Sequence, residues 1–154
     1  MEEAPFNAMA AKVNTVSPGE SSAVEDYLER ILHLLDSKGY ARVADVAEGL
    51  GIAQASVSNM VRRLDEKGLL VYEKYKGMTL TEEGEILARR ITKRHGILEE
   101  FLDLLGVDKE TAYRDVEGME HHISSETLRG IQQIIVELKQ DAAMQARVET
   151  AAQG

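Results

Sequence analysis

The chain has 154 residues, of which 44% are hydrophobic and 5% aromatic, so its core must be mainly aliphatic and can serve one domain or two small ones. It contains no cysteine, which excludes disulfide bonds, thiolate zinc sites and cysteine nucleophiles. No apolar run has the length of a membrane span, and no secretory signal is present at the N-terminus, so we expect a cytoplasmic protein. The net charge of −9 disfavours nucleic acid as a partner unless the charge is unevenly distributed.

The charge is indeed unevenly distributed. Residues 53–80 contain five basic and three acidic side chains, whereas residues 110–126 contain five acidic side chains and one basic one. The first segment can approach a phosphate backbone, and bound divalent cations would offset much of the charge of the second. The sequence therefore predicts a mildly basic part followed by a strongly acidic part.

The N-terminal part begins with a segment that lacks hydrophobic periodicity. Residues 1–21 contain both prolines and many small residues, which predicts a flexible tail. Ser22 and Glu25 have the spacing of a capping box, so we expect the first helix to begin here. The apolar spacing continues to the end of this helix near Gly39.

The next segment has the order of a winged helix-turn-helix. Residues 42–50 and 54–67 are predicted to form two short amphipathic helices, and Gly51-Ile52 joins them as a tight turn. Two β-favouring runs follow at residues 69–75 and 78–80 with Lys76-Gly77 between them, which predicts a hairpin, or wing. We expect the winged helix-turn-helix domain to span residues 22–82.

The second helix of this motif has a polar face opposite its apolar one. A helix in the major groove reads base edges with side chains near its N-terminus, and Arg and Lys contact phosphates. The alternative is that this face is only the solvated side of an amphipathic helix. Base contacts are predicted for Gln54, Ser56, Ser58 and Asn59, and phosphate contacts for Arg62, Arg63 and the wing lysines Lys74 and Lys76.

The remaining sequence is helical and acidic. Thr81 is expected to cap a long helix that ends at Gly106, a fifth helix covers about residues 110–122, and Ser124 caps a sixth. The fold class is thus mainly α, with a helical domain over residues 83–141 after the winged helix. Residues 142–154 are small and polar, and we expect a flexible C-terminal tail there.

Two acidic clusters in this sequence have spacings that suit a metal site. Asp26 and Glu29 are three residues apart in the first helix, and Glu117, Glu120 and His121 follow the i, i+3, i+4 pattern. Acidic pairs on helices are usually only solvated, but like charges on one helical face reduce stability unless a cation compensates. Carboxylate and imidazole ligands without sulfur suit Mn²⁺, and two ions bridged by Glu29 and Glu120 would fit the number of ligands. His95 in the long helix is a further candidate ligand.

From residue 26 to about residue 139 the chain resembles the diphtheria-toxin-repressor family of metal-dependent transcriptional repressors, in particular its manganese-responsive members. The stretches that carry the resemblance are EDYLE from Glu25, KGYARV from Lys38, VSNMV from Val57, YEKYKG from Tyr72 and, most specifically, DVEGMEHH from Asp115.

The resemblance implies both a metal site and an assembly. It implies a homodimer that forms through the C-terminal helices and reads a palindromic operator in double-stranded DNA. Iron-responsive members carry Met and Cys where this chain has Asp26 and Glu117, so the hard ligands here favour manganese. The resemblance implies two Mn²⁺ ions per subunit, which Fe²⁺, Zn²⁺ or Cd²⁺ could replace, bound by Asp26, Glu29, His95, Glu117, Glu120 and His121.

The sequence therefore predicts a manganese-activated repressor of manganese uptake genes, with no membrane and no small-molecule substrate among its partners. Our hypothesis is that the bound metal holds the two winged helices of a dimer at the spacing of the operator half-sites. An iron-responsive repressor and a metal-independent winged-helix regulator remain alternatives. A di-metal carboxylate enzyme is the weakest alternative, because no Glu-x-x-His motif is present.

Overall fold

The computed structural model describes the backbone of residues 18–154 and the side chains of residues 22–154. These residues divide into an N-terminal unit that ends at Ile91 and a C-terminal unit from Thr92 to Gly154. Residues 1–17, where most of the flexible tail was predicted, lie outside the described part. None of the helices in residues 18–154 combines the length and hydropathy that spanning a bilayer requires.

The first three helices form the helix-turn-helix and its support. They are α1 (Pro18–Lys38), α2 (Val43–Leu50) and α3 (Gln54–Glu66). The predicted start at Ser22 is wrong, since α1 begins four residues earlier at Pro18, a residue whose fixed φ suits the first turn of a helix. The turn between α2 and α3 begins at Gly51, which has a φ of +66° and ends α2 in the left-handed conformation.

The wing is an antiparallel hairpin of β1 (Leu70–Glu73) and β2 (Gly77–Leu80), in which Leu70 pairs with Leu80 and Glu73 with Gly77. Gly77 therefore belongs to the second strand rather than to the turn, which was predicted at Lys76-Gly77. It has a φ of +96°, and a Cβ here would overlap the carbonyl oxygen of Ala41. That same oxygen accepts a hydrogen bond from the Met78 amide at 2.9 Å, so the wing is attached to the segment before α2.

The long helix α4 (Glu82–Leu104) begins at the predicted cap. The Thr81 hydroxyl oxygen accepts a hydrogen bond from the Gly84 amide at 3.0 Å, and the hydroxyl donates to the Gly68 carbonyl at 2.7 Å. Ile86 of α4 is 40% exposed, because it is out of phase with the buried positions of this helix. The aliphatic core of the N-terminal unit includes Leu28, Ile31, Val46, Val57, Leu64, Leu70, Met78 and Ile91.

The C-terminal unit adds α5 (Lys109–Met119), α6 (Ser125–Gln140) and α7 (Ala142–Ala152). The predicted Ser124 cap is confirmed, since its side chain accepts from the Thr127 amide at 3.2 Å. The tail predicted at residues 142–154 is instead mostly helical. The Asp141 carboxylate caps α7 by accepting from the Met144 amide at 2.9 Å, and alanines favour the helix. The core of this unit includes Leu98, Leu102, Val116, Ile131, Ile135, Leu138 and the partly buried Val148.

The first turn of α4 contacts the start of the hairpin so closely that only glycine fits at residue 84. We expect Gly84→Ala to lower the melting temperature, because the added Cβ would overlap the carbonyl oxygen of Leu69. Gly96→Ala in the same helix is the matched control. A Cβ there has no atom within 4 Å, so it should stabilise the chain by up to about 1 kcal/mol. Equal melting temperatures for the two variants would contradict the close approach.

Candidate metal centre and nucleic-acid interface

The third helix, α3, has one buried face and one exposed face. Its buried residues are Val57, Met60, Val61 and Leu64, as the spacing predicted. The residue before the helix, Ala53, provides no capping side chain, so the first amides of α3 have no side-chain acceptor there. Arg63 is half-buried, whereas the other predicted contact residues of this helix, Gln54, Ser56, Ser58, Asn59 and Arg62, are exposed. Their contacts with DNA stay a prediction.

The wing lysines Lys74 and Lys76 are also exposed. The Lys76 ammonium lies 2.8 Å from the Glu73 carboxylate. The hydrogen bond and the charge of Glu73 raise the pKa of Lys76. Lys74 lies over the Tyr75 ring, 5.3 Å from its centroid. Tyr75 was not among the predicted site residues, although 87% of it is exposed at the tip of the wing.

The two predicted ligands of the N-terminal unit lie on α1, which also supports the helix-turn-helix. Asp26 and Glu29 are half-buried and three residues apart, as predicted. The same helix buries Leu28 and Ile31 in the core shared with α2 and α3. In addition, the Arg30 guanidinium donates a hydrogen bond to the Gly49 carbonyl at 2.8 Å. The helix that carries the two carboxylates thus contacts α2 directly.

The C-terminal unit brings three predicted ligands together around Glu120. The Nδ1 of His95 donates a hydrogen bond to Oε2 of Glu120 at 2.7 Å. The Nε2 of His121 lies 3.3 Å from Oε1 of the same carboxylate. Each oxygen of the Glu120 carboxylate therefore faces one imidazole. His95 lies on α4, whereas Glu120 and His121 follow one another at the end of α5.

The end of α5 differs from the prediction in a way that matters for this cluster. The helix was expected to continue to residue 122, but it ends at Met119 and Glu120 is its C-cap. Glu120 keeps helical angles, with φ −59° and ψ −32°, and its amide donates to the Val116 carbonyl at 2.9 Å. His121 lies in the turn that follows. The i, i+3 relation between Glu117 and Glu120 is therefore retained, whereas His121 is placed by the turn.

Burial distinguishes Glu120 from the other predicted ligands. It is 1% exposed and is the one charged side chain in residues 22–154 that is fully buried, whereas Glu117 is exposed. Burying a carboxylate is unfavourable unless hydrogen bonds or a cation compensate. Oxygen and imidazole donors together fit hard or borderline divalent cations, of which Mn²⁺ is one. The thioether of nearby Met119 packs against the core instead.

The chain is similar to known proteins over most of its length. Residues 21–78 match the family model described as the iron dependent repressor N-terminal DNA binding domain. Residues 81–145 match the model of the metal binding and dimerisation domain of the same family. The chain is also 45% identical over 127 residues to the HTH-type transcriptional regulator MntR of Lysinibacillus sphaericus, a match that covers 82% of this chain and 91% of the relative.

Two solved structures share the fold. The manganese regulator SloR is 26% identical with a TM-score of 0.64, and ScaR with bound Zn²⁺ is 26% identical with a TM-score of 0.63. Each match covers 73% of this chain and 53% of the solved chain. The chain thus spans about half the length of these two structural relatives.

The contacts of Glu120 predict how the metal-free chain responds to substitution. Glu120→Ala should lower the free energy of unfolding by about 1–3 kcal/mol, because His95 loses its acceptor and a cavity is left. Glu120→Gln should cost less, because the amide oxygen can still accept from His95. Urea denaturation in the presence of a chelator measures both. An alanine variant as stable as the wild type would show that the contact with His95 does not stabilise the metal-free chain.

Proposed function

Since the chain belongs to the iron-dependent-repressor family, to which the diphtheria toxin repressor also belongs, we propose that it is a manganese-activated repressor that binds double-stranded DNA and controls genes for manganese uptake. The observation that carries the metal part of this proposal is the buried Glu120 carboxylate between two imidazoles. The exposed polar face of α3 and the basic wing support the DNA part. The family consists of transcriptional repressors, and the chain is not an enzyme.

The proposed ligands are six oxygen or nitrogen donors from the two units. In this proposal Asp26 and Glu29 of α1 share bound ions with Glu120 and its imidazole neighbours, and Glu117 completes the set. The four carboxylates and two imidazoles would suit two Mn²⁺ ions per subunit. When bound, the ions supply the positive charge that offsets these carboxylates. The relatives include a manganese regulator and a protein solved with bound Zn²⁺, and both family models are called iron dependent, so Fe²⁺ is the second candidate.

The proposed activation depends on α1. The core contacts of this helix and the bond from Arg30 to Gly49 connect its position to that of α2. If Asp26 and Glu29 bind the same ions as Glu120, the ligands restrict the orientation of the winged helix. A restricted orientation favours DNA binding, because a larger fraction of the molecules is then already in the conformation that binds DNA.

The chain contains a DNA-binding domain and a dimerisation domain, and DNA and a second copy of the chain are therefore its partners. We propose that the dimer reads a palindromic operator, because a two-fold symmetric pair of winged helices requires two matching half-sites. The exposed apolar side chain of Ile134 on α6 supports a contact with the second copy. The proposed site of action is the cytoplasm.

Metal activation can be tested with Glu120→Gln. Without added metal we expect the wild type to bind weakly to a duplex selected from a random pool, and Mn²⁺ should strengthen this binding. The variant should require at least about 100-fold more Mn²⁺. Removing a residue that only orients a ligand lowers metal affinity by about 10–100-fold, and removing the ligand itself should lower it further. Fluorescence anisotropy across Mn²⁺, Fe²⁺ and Zn²⁺ titrations provides the measurement and orders the metals.

The matched control is Glu126→Gln, which removes an exposed carboxylate from the same acidic segment. It should respond to Mn²⁺ as the wild type does. If the wild type binds DNA equally with and without metal, the chain is a metal-independent regulator and the proposal is incorrect. If both variants respond alike, Glu120 is not a ligand.

The role of α3 predicts a change in salt dependence. Arg62→Ala should weaken binding to all sequences and reduce the slope of log K against log salt by about 1, because one phosphate contact is lost. Arg114→Ala, an exposed arginine in the acidic segment, should leave the slope unchanged at saturating Mn²⁺. Equal slopes for the wild type and Arg62→Ala would remove Arg62 from the interface.

A further inference from the structure

The tip of the wing contains a residue that its own turn does not favour. Lys74, Tyr75 and Lys76 connect the two strands, and the Lys76 amide donates to the Glu73 carbonyl at 3.1 Å to close the turn. Tyr75 has a φ of +72° and is the one non-glycine residue with positive φ in the described chain. Glycine and asparagine are the residues that adopt this conformation at little cost.

The hairpin gives no structural reason for a tyrosine at this position. The left-handed conformation costs a bulky residue about 1–2 kcal/mol. The ring recovers little of this by burial, since it is 87% exposed and the ammonium that lies over it belongs to the flanking Lys74. A strained, exposed aromatic side chain that does not stabilise its own domain points to a contact with another molecule.

The chemistry of the tip matches DNA better than an apolar protein surface. Two lysines flank the ring, so the tip is cationic and disfavours a second copy of itself. The tip also lies in residues 21–78, which match the DNA-binding domain model. A single aromatic side chain between two cations suits the minor groove, which is about 6 Å wide and has a phosphate backbone on each side.

We infer that Tyr75 is a DNA-contacting residue, with its ring against the deoxyribose wall of the minor groove and its hydroxyl donating to a phosphate, while Lys74 and Lys76 contact phosphates on either side. This inference rests on the proposed function, because it requires the wing to reach DNA. It adds an aromatic side chain without the formal charge of a lysine, so its contribution should depend less on salt than that of Lys74 and Lys76.

The test separates the stability of the wing from its binding. Tyr75→Asn should keep or raise the melting temperature, since asparagine tolerates positive φ, and should weaken binding of the selected duplex about tenfold, the loss of roughly one contact. Tyr75→Phe should give a smaller loss. The salt slope of Tyr75→Asn should match the wild type, whereas Lys74→Ala should reduce it by about 1. Hydroxyl-radical footprinting, which reports on deoxyribose accessibility, should lose one protected minor-groove segment in Tyr75→Asn.

The matched control compares alanine at two exposed tyrosines. Tyr75→Ala should weaken DNA binding, and Tyr113→Ala, which removes a 65% exposed tyrosine from the C-terminal unit, should not. If Tyr75→Asn binds DNA with wild-type affinity and footprint while the wild type responds to Mn²⁺, the inference alone is overturned. A changed oligomeric state with unchanged DNA binding would assign Tyr75 to a protein contact and also overturn it. If the wild type selects no duplex at all, the proposed function and the inference both fail.

Discussion

The burial of one carboxylate is the constraint on which the site depends. Glu120 is removed from water at the end of α5, and each of its oxygens faces an imidazole. An ionised carboxylate in such surroundings needs positive charge or hydrogen bonds close by, because the low dielectric of the interior strengthens whatever interaction it makes. The arrangement is consequently better suited to a cation ligand than to a structural role, since an aliphatic residue of the same volume could fill this position at no electrostatic cost.

The predicted ligands lie on different helices of the fold. His95 lies on α4, Glu120 at the end of α5, and Asp26 and Glu29 on α1, so the predicted ligands belong to elements with separate structural tasks. Of these, α1 supplies buried leucine and isoleucine to the core of the winged helix and contacts α2 through Arg30. A change in the position of α1 therefore has to be shared by α2, because close-packed helices move together rather than deform.

Much of this could be predicted from local patterns, and the differences have physical causes. The buried face of α3 and the caps at Thr81 and Ser124 depend on spacing and on hydroxyl acceptors, which are visible in the sequence. The end of α5 could not be placed, because Gly118 lies inside the helix and no glycine or proline stands at its C-cap, Glu120, or directly after it. The helix α7 was missed because small residues look like a tail until a cap and a neighbouring core are known. The sequence also did not show that Glu120 is buried whereas Glu117 is exposed. Their spacing places both on one helical face, and only tertiary packing distinguishes them.

The distribution of charge explains why such a chain would depend on metal and on assembly. With a net charge of −9, the surface as a whole repels DNA, and the cations predicted to contact it are few: Arg62 and Arg63 on α3 and the two wing lysines. A single winged helix with so few phosphate contacts binds weakly at physiological salt. In a dimer, binding of one winged helix to DNA gives the other a high effective concentration at the adjacent half-site. A modest restriction of their geometry therefore changes affinity by orders of magnitude. The scarcity of basic residues thus makes affinity sensitive to orientation, which is the property that a metal-controlled repressor requires.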